Sequence, residues 1–216
     1  MHRITRLRGV AALLLASALA PTSAWALPLL SEVFYDAVGS DNGQSFVEIY
    51  GAPGTSLTGY RLEGINGSNG AVTPSIALGG AIAPDGFFLV ADDAGDGTTA
   101  VPGADWIANF DFQNGPDSIV LRSPDAIVDA LGYGVFGAGD VFAGEGTAAP
   151  DAPAGASLAR RFADLDSGDN AADFAVLEVP TPGSGPLSEV PEPASGLLLA
   201  GGLALTSRLA RHSRHR

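Results

Sequence analysis

Between residues 27 and 190 the apolar residues come in short runs, and glycine, proline, asparagine and aspartate separate one run from the next. This punctuation is typical of β-strands joined by tight turns. No stretch of about a dozen residues keeps the helical period of about 3.6, so we expect helix to be nearly absent. The pattern predicts ten strands, at residues 29–35, 45–50, 59–63, 72–78, 87–91, 106–110, 118–121, 127–133, 157–161 and 174–179.

Alternation within the runs assigns side chains to the two faces of a sheet, since successive residues of a strand point to opposite sides. Val47 and Ile49 share one face and Glu48 lies on the other, and Ile119 and Leu121 share a face in the same way. Asn-Gly and Asp-Gly pairs mark several of the turns. Short strands in regular succession without helical crossovers predict an all-β domain, an antiparallel β-sandwich.

The first 26 residues carry the three parts of a secretory signal peptide. Three arginines precede an apolar stretch at residues 10–20, and Ala24 and Ala26 form a small-x-small cleavage site. We expect cleavage after Ala26 and transport by the export machinery. The alternative is an N-terminal membrane anchor, but about a dozen apolar residues cover about 18 Å as a helix, against a hydrocarbon core of about 30 Å.

A second apolar stretch, at residues 194–207, follows a Pro-Glu-Pro motif and precedes four arginines that begin with Arg208 and Arg211. Because arginines stay on the cytoplasmic side, an exported chain would halt here with its end inside. The stretch covers about 21 Å as a helix, so we expect these arginines to snorkel. The alternative is an amphipathic tail helix packed on the domain.

Residues 184–190, rich in proline, glycine and serine, are predicted to be a linker.

This order of features resembles the PEP-CTERM sorting signal, in which a Pro-Glu-Pro motif, a hydrophobic segment and an arginine-rich end are recognised by an exosortase in bacteria that make exopolysaccharide. The resemblance covers residues 190–216, with 191–216 as the sorting segment itself. It implies transient insertion into the bacterial membrane, processing near the motif, and delivery to the outer surface or matrix. The residues that it assigns to sorting and processing are Val190, Pro191, Glu192, Pro193, Arg208 and Arg211.

A second resemblance runs from about residue 29 to residue 183 and is to the lamin-tail domain. Its segments are, in order, Leu-Ser-Glu-Val-Phe-Tyr-Asp at 30–36, Phe-Val-Glu-Ile-Tyr at 46–50, Leu-Thr-Gly-Tyr-Arg-Leu at 57–62, and those at 86–91, 115–121, 128–134 and 155–160. The chain departs from the family at Tyr60, where Trp is frequent, and at Gly51, where Asn commonly follows. The resemblance implies an immunoglobulin-like β-sandwich at residues 27–183 and no shared catalytic residues.

The residue types between 27 and 190 exclude most catalytic chemistry. The chain has no cysteine and no lysine, and its three histidines, His2, His212 and His215, all lie in the terminal segments. This composition excludes from the domain a Ser-His-Asp triad, a Cys-His dyad, a Schiff-base lysine and a zinc site with nitrogen or sulfur ligands. We therefore assign no catalytic residues.

The same region is strongly acidic. It holds only four of the 11 basic residues, whereas Glu192 is the one residue of the 24 acidic ones that lies outside it. We expect no nucleic-acid partner, since binding to phosphate backbones relies on cations. The field would attract divalent cations instead. Arg160 and Arg161 are expected to pair with the acidic run that begins at Asp164.

That acidic run is the densest group of oxygen ligands in the sequence. It contains Asp164, Asp166, Asp169, Asn170 and Asp173. Calcium takes about six to eight oxygens, and alternate positions of a tight loop can converge on one ion. The spacing is similar to an EF-hand loop but does not match it, because Gly168 precedes Asp169 and no Glu stands at the twelfth position. The alternative is a solvated turn whose side chains accept from nearby amides. A second, weaker candidate is the group Asp92, Asp93 and Asp96.

Glu32, Glu48 and Glu63 lie on three of the predicted strands. Paired carboxylates can hydrolyse glycosides, but an enzyme also needs a cleft that raises the pKa of one of them. We therefore expect these glutamates to be outward-facing sheet positions.

These observations predict an exported, non-enzymatic binding or structural module of the cell envelope or extracellular matrix, sorted by an exosortase, with Ca²⁺ as a candidate stabilising ion. The expected partners are the exosortase, the export machinery, the membrane, and extracellular polysaccharide or surface proteins. The alternative is a carboxylate-dependent hydrolase that acts on extracellular polysaccharide. That alternative requires two acidic side chains in one concave site, about 5–10 Å apart.

Overall fold

The computed structural model describes residues 27–185, which form two β-sheets and one short helix. The predicted signal peptide, most of the linker and the sorting segment lie outside the described residues. The elements are β1 Leu29–Phe34, β2 Phe46–Tyr50, β3 Arg61–Asn66, β4 Val72–Ala77, β5 Phe87–Asp92, β6 Trp106–Ala108, β7 Asp117–Arg122, β8 Ile127–Tyr133, β9 Ser157–Arg160, α1 Asn170–Asp173 and β10 Phe174–Leu177. Each predicted strand overlaps an observed one, and the all-β prediction is confirmed.

The strands form a six-stranded sheet in the order β10-β9-β1-β2-β5-β6 and a four-stranded sheet in the order β4-β3-β7-β8. Every pair is antiparallel except β5 with β6, which is parallel. The predicted antiparallel pairing therefore holds for every pair of strands in the two sheets except this one. The connection between the two strands crosses the outer face of the sheet, where Val101 and Ala104 pack against Phe46 and Leu89. This apolar crossover brings the chain back in the same direction without a helix.

The main core lies between the two sheets. Val47 and Ile49 of the six-stranded sheet and Ile119 and Leu121 of the four-stranded sheet belong to one buried cluster, as their alternation predicts. Tyr35 and Tyr133 stack within it with ring centroids 4.4 Å apart. The two layers therefore form a sandwich around a single core. No helix among residues 27–185 is long and apolar enough to cross a membrane.

Candidate functional site

Arg160 on β9 is a buried cation that joins the two sheets. Its side chain is fully buried, and its Nη2 donates to Asp129 Oδ2 on β8 at 2.7 Å. Nε donates to the carbonyl of Leu30 at 2.9 Å, and the guanidinium carbon lies 4.6 Å from the centroid of the Phe174 ring. Since β8 and β9 belong to different sheets, this ion pair connects the layers at one end of the sandwich.

The predicted pairing of Arg160 with the acidic run is confirmed. Arg160 Nη1 lies 3.3 Å from Asp173 and 3.7 Å from Asp166. The neighbouring Arg161 is exposed and donates to the carbonyl of Ala172 at 3.0 Å. Arg161 follows the end of β9 and forms no ion pair among the described residues, so its predicted pairing with the acidic run is not found.

The five predicted calcium ligands have different structural roles. Asp169 is the N-cap of α1, where its Oδ1 accepts from the Ala171 amide at 3.1 Å. Asp173 is buried and accepts from Ser167 Oγ at 2.7 Å, and Asp166 accepts from the Gly168 amide at 3.0 Å. Asn170 is buried, and Asp164 is exposed. Calcium binding by this set stays a prediction, and several of its oxygens already accept backbone or hydroxyl hydrogens.

A different group of carboxylates converges beside Arg160. Oxygen atoms of Asp129, Glu145 and Asp166 all lie within 4.8 Å of one another. Glu145 Oε2 is buried and has no hydrogen-bond partner among the described residues. Burial, then the charges of Asp129 and Asp166, raise the pKa of Glu145 to about 7. Hard oxygen ligands of this kind suit a divalent cation or a retained proton.

Burial also raises the pKa of Asp129, although the Arg160 charge opposes that shift. Asp166 belongs to the ligand set predicted from the sequence, whereas Asp129 and Glu145 do not. Neither residue lies near the acidic run in sequence, so spacing alone gives no signal for them.

Backbone contact at two glycines brings Glu145 to this position. A Cβ at Gly144 would collide with the backbone nitrogen of Gly132 on β8, so only glycine allows the approach. Asn170 then fixes the two segments, since its Oδ1 accepts from the amides of Gly132 and Glu145, each at 2.8 Å. Its Nδ2 donates to the carbonyl of Ala130 at 2.8 Å. The buried asparagine of the predicted loop therefore positions the segment that carries Glu145.

Replacing Asn170 by alanine is expected to lower the free energy of unfolding by about 1–3 kcal/mol, because buried backbone groups would lose their partners. Urea unfolding of the domain measures the change. The matched control is Asn69→Ala, at an exposed turn where the side chain accepts only from the Ala71 amide. Equal losses for the two variants would contradict the positioning role.

Glu32 and Glu48 lie on the outer face of the six-stranded sheet, as predicted, but both are fully buried there. The chain after β10 covers them: we call residues 180–185 the strap. Thr181 Oγ1 donates to Glu32 at 2.7 Å, and the Gly183 amide donates to Glu48 at 2.7 Å. Alternation predicts which face of the sheet a side chain occupies, but it does not predict which segment covers that face.

Glu63, the third predicted strand glutamate, lies on the outer face of the other sheet. Its carboxylate is 3.0 Å from Arg122 and 3.9 Å from Arg61, and its side chain is 13% exposed. Its carboxylate therefore forms ion pairs with arginines of its own strand and of β7.

The second predicted cluster divides between two environments. Asp93 Oδ1 accepts from the amides of Gly95 and Gly97, each at 2.8 Å, and Asp96 accepts from Thr98, so these two form turns. Asp92 instead lines a cavity of about 260 Å³ together with Asp41 and Asp111. Burial and the charges of Asp41 and Asp92 raise the pKa of Asp111.

Comparison of the chain with protein-family models, with curated proteins and with solved structures finds no match.

Proposed function

We propose that this chain is an exported, non-enzymatic binding or structural module of the cell envelope or extracellular matrix. The observation that carries the proposal is the order of segments: a basic and apolar leader, a two-sheet domain, and then the Pro-Glu-Pro motif, the apolar stretch and the arginines. In this scheme the domain is the cargo and the flanking segments determine its destination.

The domain is proposed to be an immunoglobulin-like sandwich of the lamin-tail type. In support, the segments that carry this resemblance fall on β1, β2, β3, β5, β7, β8 and β9 in chain order. Their apolar positions supply most of the buried cluster between the sheets. The resemblance brings no catalytic residues, so we assign a binding or structural role to the surface.

Export and sorting predict defined ends of the mature protein. We expect the protein recovered from its native host to begin at Leu27 and to lack the arginine-rich segment that contains Arg208 and Arg211. Intact-mass and peptide mass spectrometry of the surface or matrix fraction measures both ends. A chain recovered there with Met1 and Arg216 still attached would contradict the proposal. A chain with the motif replaced by alanines serves as the control, since its sorting segment should persist.

Binding to extracellular polymer is the activity that we propose for the domain. Its excess of acidic residues would repel acidic polysaccharide unless divalent cations bridge the two surfaces. We expect the purified chain to co-sediment with exopolysaccharide from its host and to be released by chelator. Retention of the same amount with and without chelator would exclude cation bridging, and no retention at all would exclude this polymer as partner.

Calcium is proposed as a stabilising ion. Of the ligands predicted from the sequence, Asp166 is kept in this proposal, and Asp129 and Glu145 join it because their oxygens lie within 4.8 Å of one another. An ion that binds only the folded state raises its stability, by about 2.7 kcal/mol at a hundredfold excess over Kd. We expect millimolar Ca²⁺ to raise the melting temperature, and Glu145→Gln to reduce that rise. Glu178→Gln, at an exposed glutamate, is the control. An unchanged melting temperature with calcium and with chelator would reject the ion.

The alternative function, a carboxylate-dependent hydrolase, is favoured by one observation: Asp41, Asp92 and Asp111 line a single cavity of about 260 Å³. Asp92 accepts from the amides of Gly43 and Phe110, and Asp41 accepts from the amide of Ala37. Asp111 is therefore the residue of the three that we propose as the acid. Release of reducing sugar from host exopolysaccharide, abolished by Asp111→Asn, would establish the hydrolase. Absence of release by the wild type would reject it.

A further inference from the structure

Two buried glutamates stand directly opposite each other on neighbouring strands. Glu32 on β1 is the cross-strand partner of Glu48 on β2, and each is 0% exposed. Like charges at such a position are destabilising, and burial without a cation increases the cost. No ion pair within residues 27–185 involves either carboxylate. Contacts other than an ion pair with arginine must therefore offset the cost of burying the two carboxylates.

The strap supplies most of the missing partners. The Thr181 amide donates to Glu32 Oε1 at 2.9 Å, and its hydroxyl donates to Oε2 at 2.7 Å. The Gly183 amide donates to Glu48 Oε2 at 2.7 Å. From the sheet itself, Ser157 donates to Glu32 at 2.6 Å and Ser31 donates to Glu48 at 2.7 Å. Each carboxylate thus accepts hydrogen bonds both from a serine of the sheet and from the strap.

The strap crosses the strands instead of pairing with them. It leaves β10 at one edge, passes over Glu32 on β1 and Glu48 on β2, and reaches β5, where Gly185 approaches Phe87. At this last point a Cβ on Gly185 would lie 3.0 Å from the Phe87 ring and 3.1 Å from Glu48 Oε1. Pro180 and Pro182 line an open pocket of about 230 Å³ together with Phe34, Phe46 and Val101. The hydrogen bonds to Glu32 and Glu48 are therefore the directional contacts that attach the strap to the sheet.

We propose that Glu32 and Glu48 form a pH-sensitive clamp. The clamp holds the strap tightly against the sheet in acid and more loosely near neutral pH. The inference rests on the proposed function in one respect, namely that the tail beyond the strap is the segment read by the sorting machinery. In that scheme the clamp controls whether residues 180–185, which precede the Pro-Glu-Pro motif in the sequence, stay attached to the domain.

The sign of the pH effect follows from burial. Burial, then the charge of Glu32, raise the pKa of Glu48 to about 7 from 4.5, although Ser31 and the Gly183 and Ser184 amides oppose the shift. Glu32 on β1 is the charged neighbour of Glu48; β5 contributes the Phe87 ring, and the strap contributes Thr181, Gly183 and Ser184. When the strap opens, water reaches Glu48 and its pKa returns toward 4.5. The closed form is therefore favoured below about 4.5 and progressively less as the pH rises to about 7.

Hydrogen exchange of the full 216-residue chain tests the clamp. After correction for the intrinsic exchange rate, we expect protection of the Thr181 and Gly183 amides to fall on the order of 100-fold between pH 4.5 and pH 7.5. Glu48→Gln keeps an oxygen that can accept from Gly183 but carries no charge. Its protection should be the same at both pH values.

Two further variants separate the clamp from a general loss of structure. Glu178→Gln, at an exposed site just before the strap, should keep the wild-type pH dependence. Thr181→Val removes a donor to Glu32 and should lower protection at both pH values without removing the pH dependence. Peptides from β2 and β5 report whether each variant is folded.

A wild-type strap with equal protection at the two pH values would overturn the proposal, and so would a Glu48→Gln variant that retains the full pH dependence. Neither result bears on sorting, which is tested by the ends of the mature protein. Conversely, an unprocessed tail would overturn the sorting function and leave the clamp measurement intact.

Discussion

Replacing Arg160 by methionine is expected to lower the free energy of unfolding of the domain by about 3–5 kcal/mol, because Asp129 would remain buried without its cation. The Asp129 side chain is 0% exposed and lies 2.7 Å from the guanidinium. The carbonyls of Leu30 and Leu165 would also lose their donor. Urea unfolding of residues 27–190 at neutral pH measures the change.

The matched control is Arg61→Met, because the Arg61 side chain is 45% exposed and its ion pair with Glu63 spans 3.9 Å. Such surface pairs contribute about 0–1 kcal/mol. Combining Arg160→Met with Asp129→Leu should restore part of the loss, since the uncompensated carboxylate is removed as well. A double variant that is less stable than the sum of the two single losses would contradict the pairing argument. Similar values for Arg160→Met and Arg61→Met would also contradict it.

The stability of the domain is expected to decrease as the pH rises from about 4.5 to about 7. Glu48 has its pKa raised to about 7 in the folded state from 4.5, so the folded domain binds a proton that the unfolded chain releases. A folded-state pKa above the unfolded value gives stability that is complete below 4.5 and lost as the pH approaches 7. Glu145 shifts in the same direction. For Glu48 the loss is about 2–3 kcal/mol.

Equilibrium urea unfolding at several pH values between 4 and 8 measures this dependence. Glu48→Gln should be more stable than the wild type at pH 7.5 and similar to it at pH 4, because the neutral side chain removes the cost of burying a charge. Glu63→Gln is the control, at a carboxylate that pairs with Arg122 at 3.0 Å. Stability that rises over the same pH range in the wild type would contradict the assignment of the buried glutamates.

Local pattern was sufficient for the strands. Val47, Ile49, Ile119 and Leu121 alternate with residues of the opposite face, and the structure buries all four in one core. The alternation of apolar and polar residues and the turn residues are properties of neighbouring positions. Strands and turns can therefore be predicted from a short segment without knowledge of the rest of the chain. The same reasoning identified Arg160 as a partner of the acidic run, because those residues are close in sequence.

Carboxylate sites depended on contacts between distant segments. Glu145 reaches Asp129 only because glycine at position 144 lets its segment pack onto β8. The parallel placement of β6 likewise depends on an apolar crossover that covers the outer face of the sheet. Neither arrangement leaves a periodic signal, since each is set by which surfaces meet and not by the order of residues within a segment.

The amino-acid sequence by itself determined the all-β class, the positions of the ten strands and the side of the sheet that each alternating residue faces. Only the tertiary structure decided that Glu32 and Glu48 are buried beneath the strap, and that Arg160 joins the two sheets through Asp129. The physical reason is that alternation depends on backbone geometry within one strand. Burial and pKa depend on the segments that later pack over it.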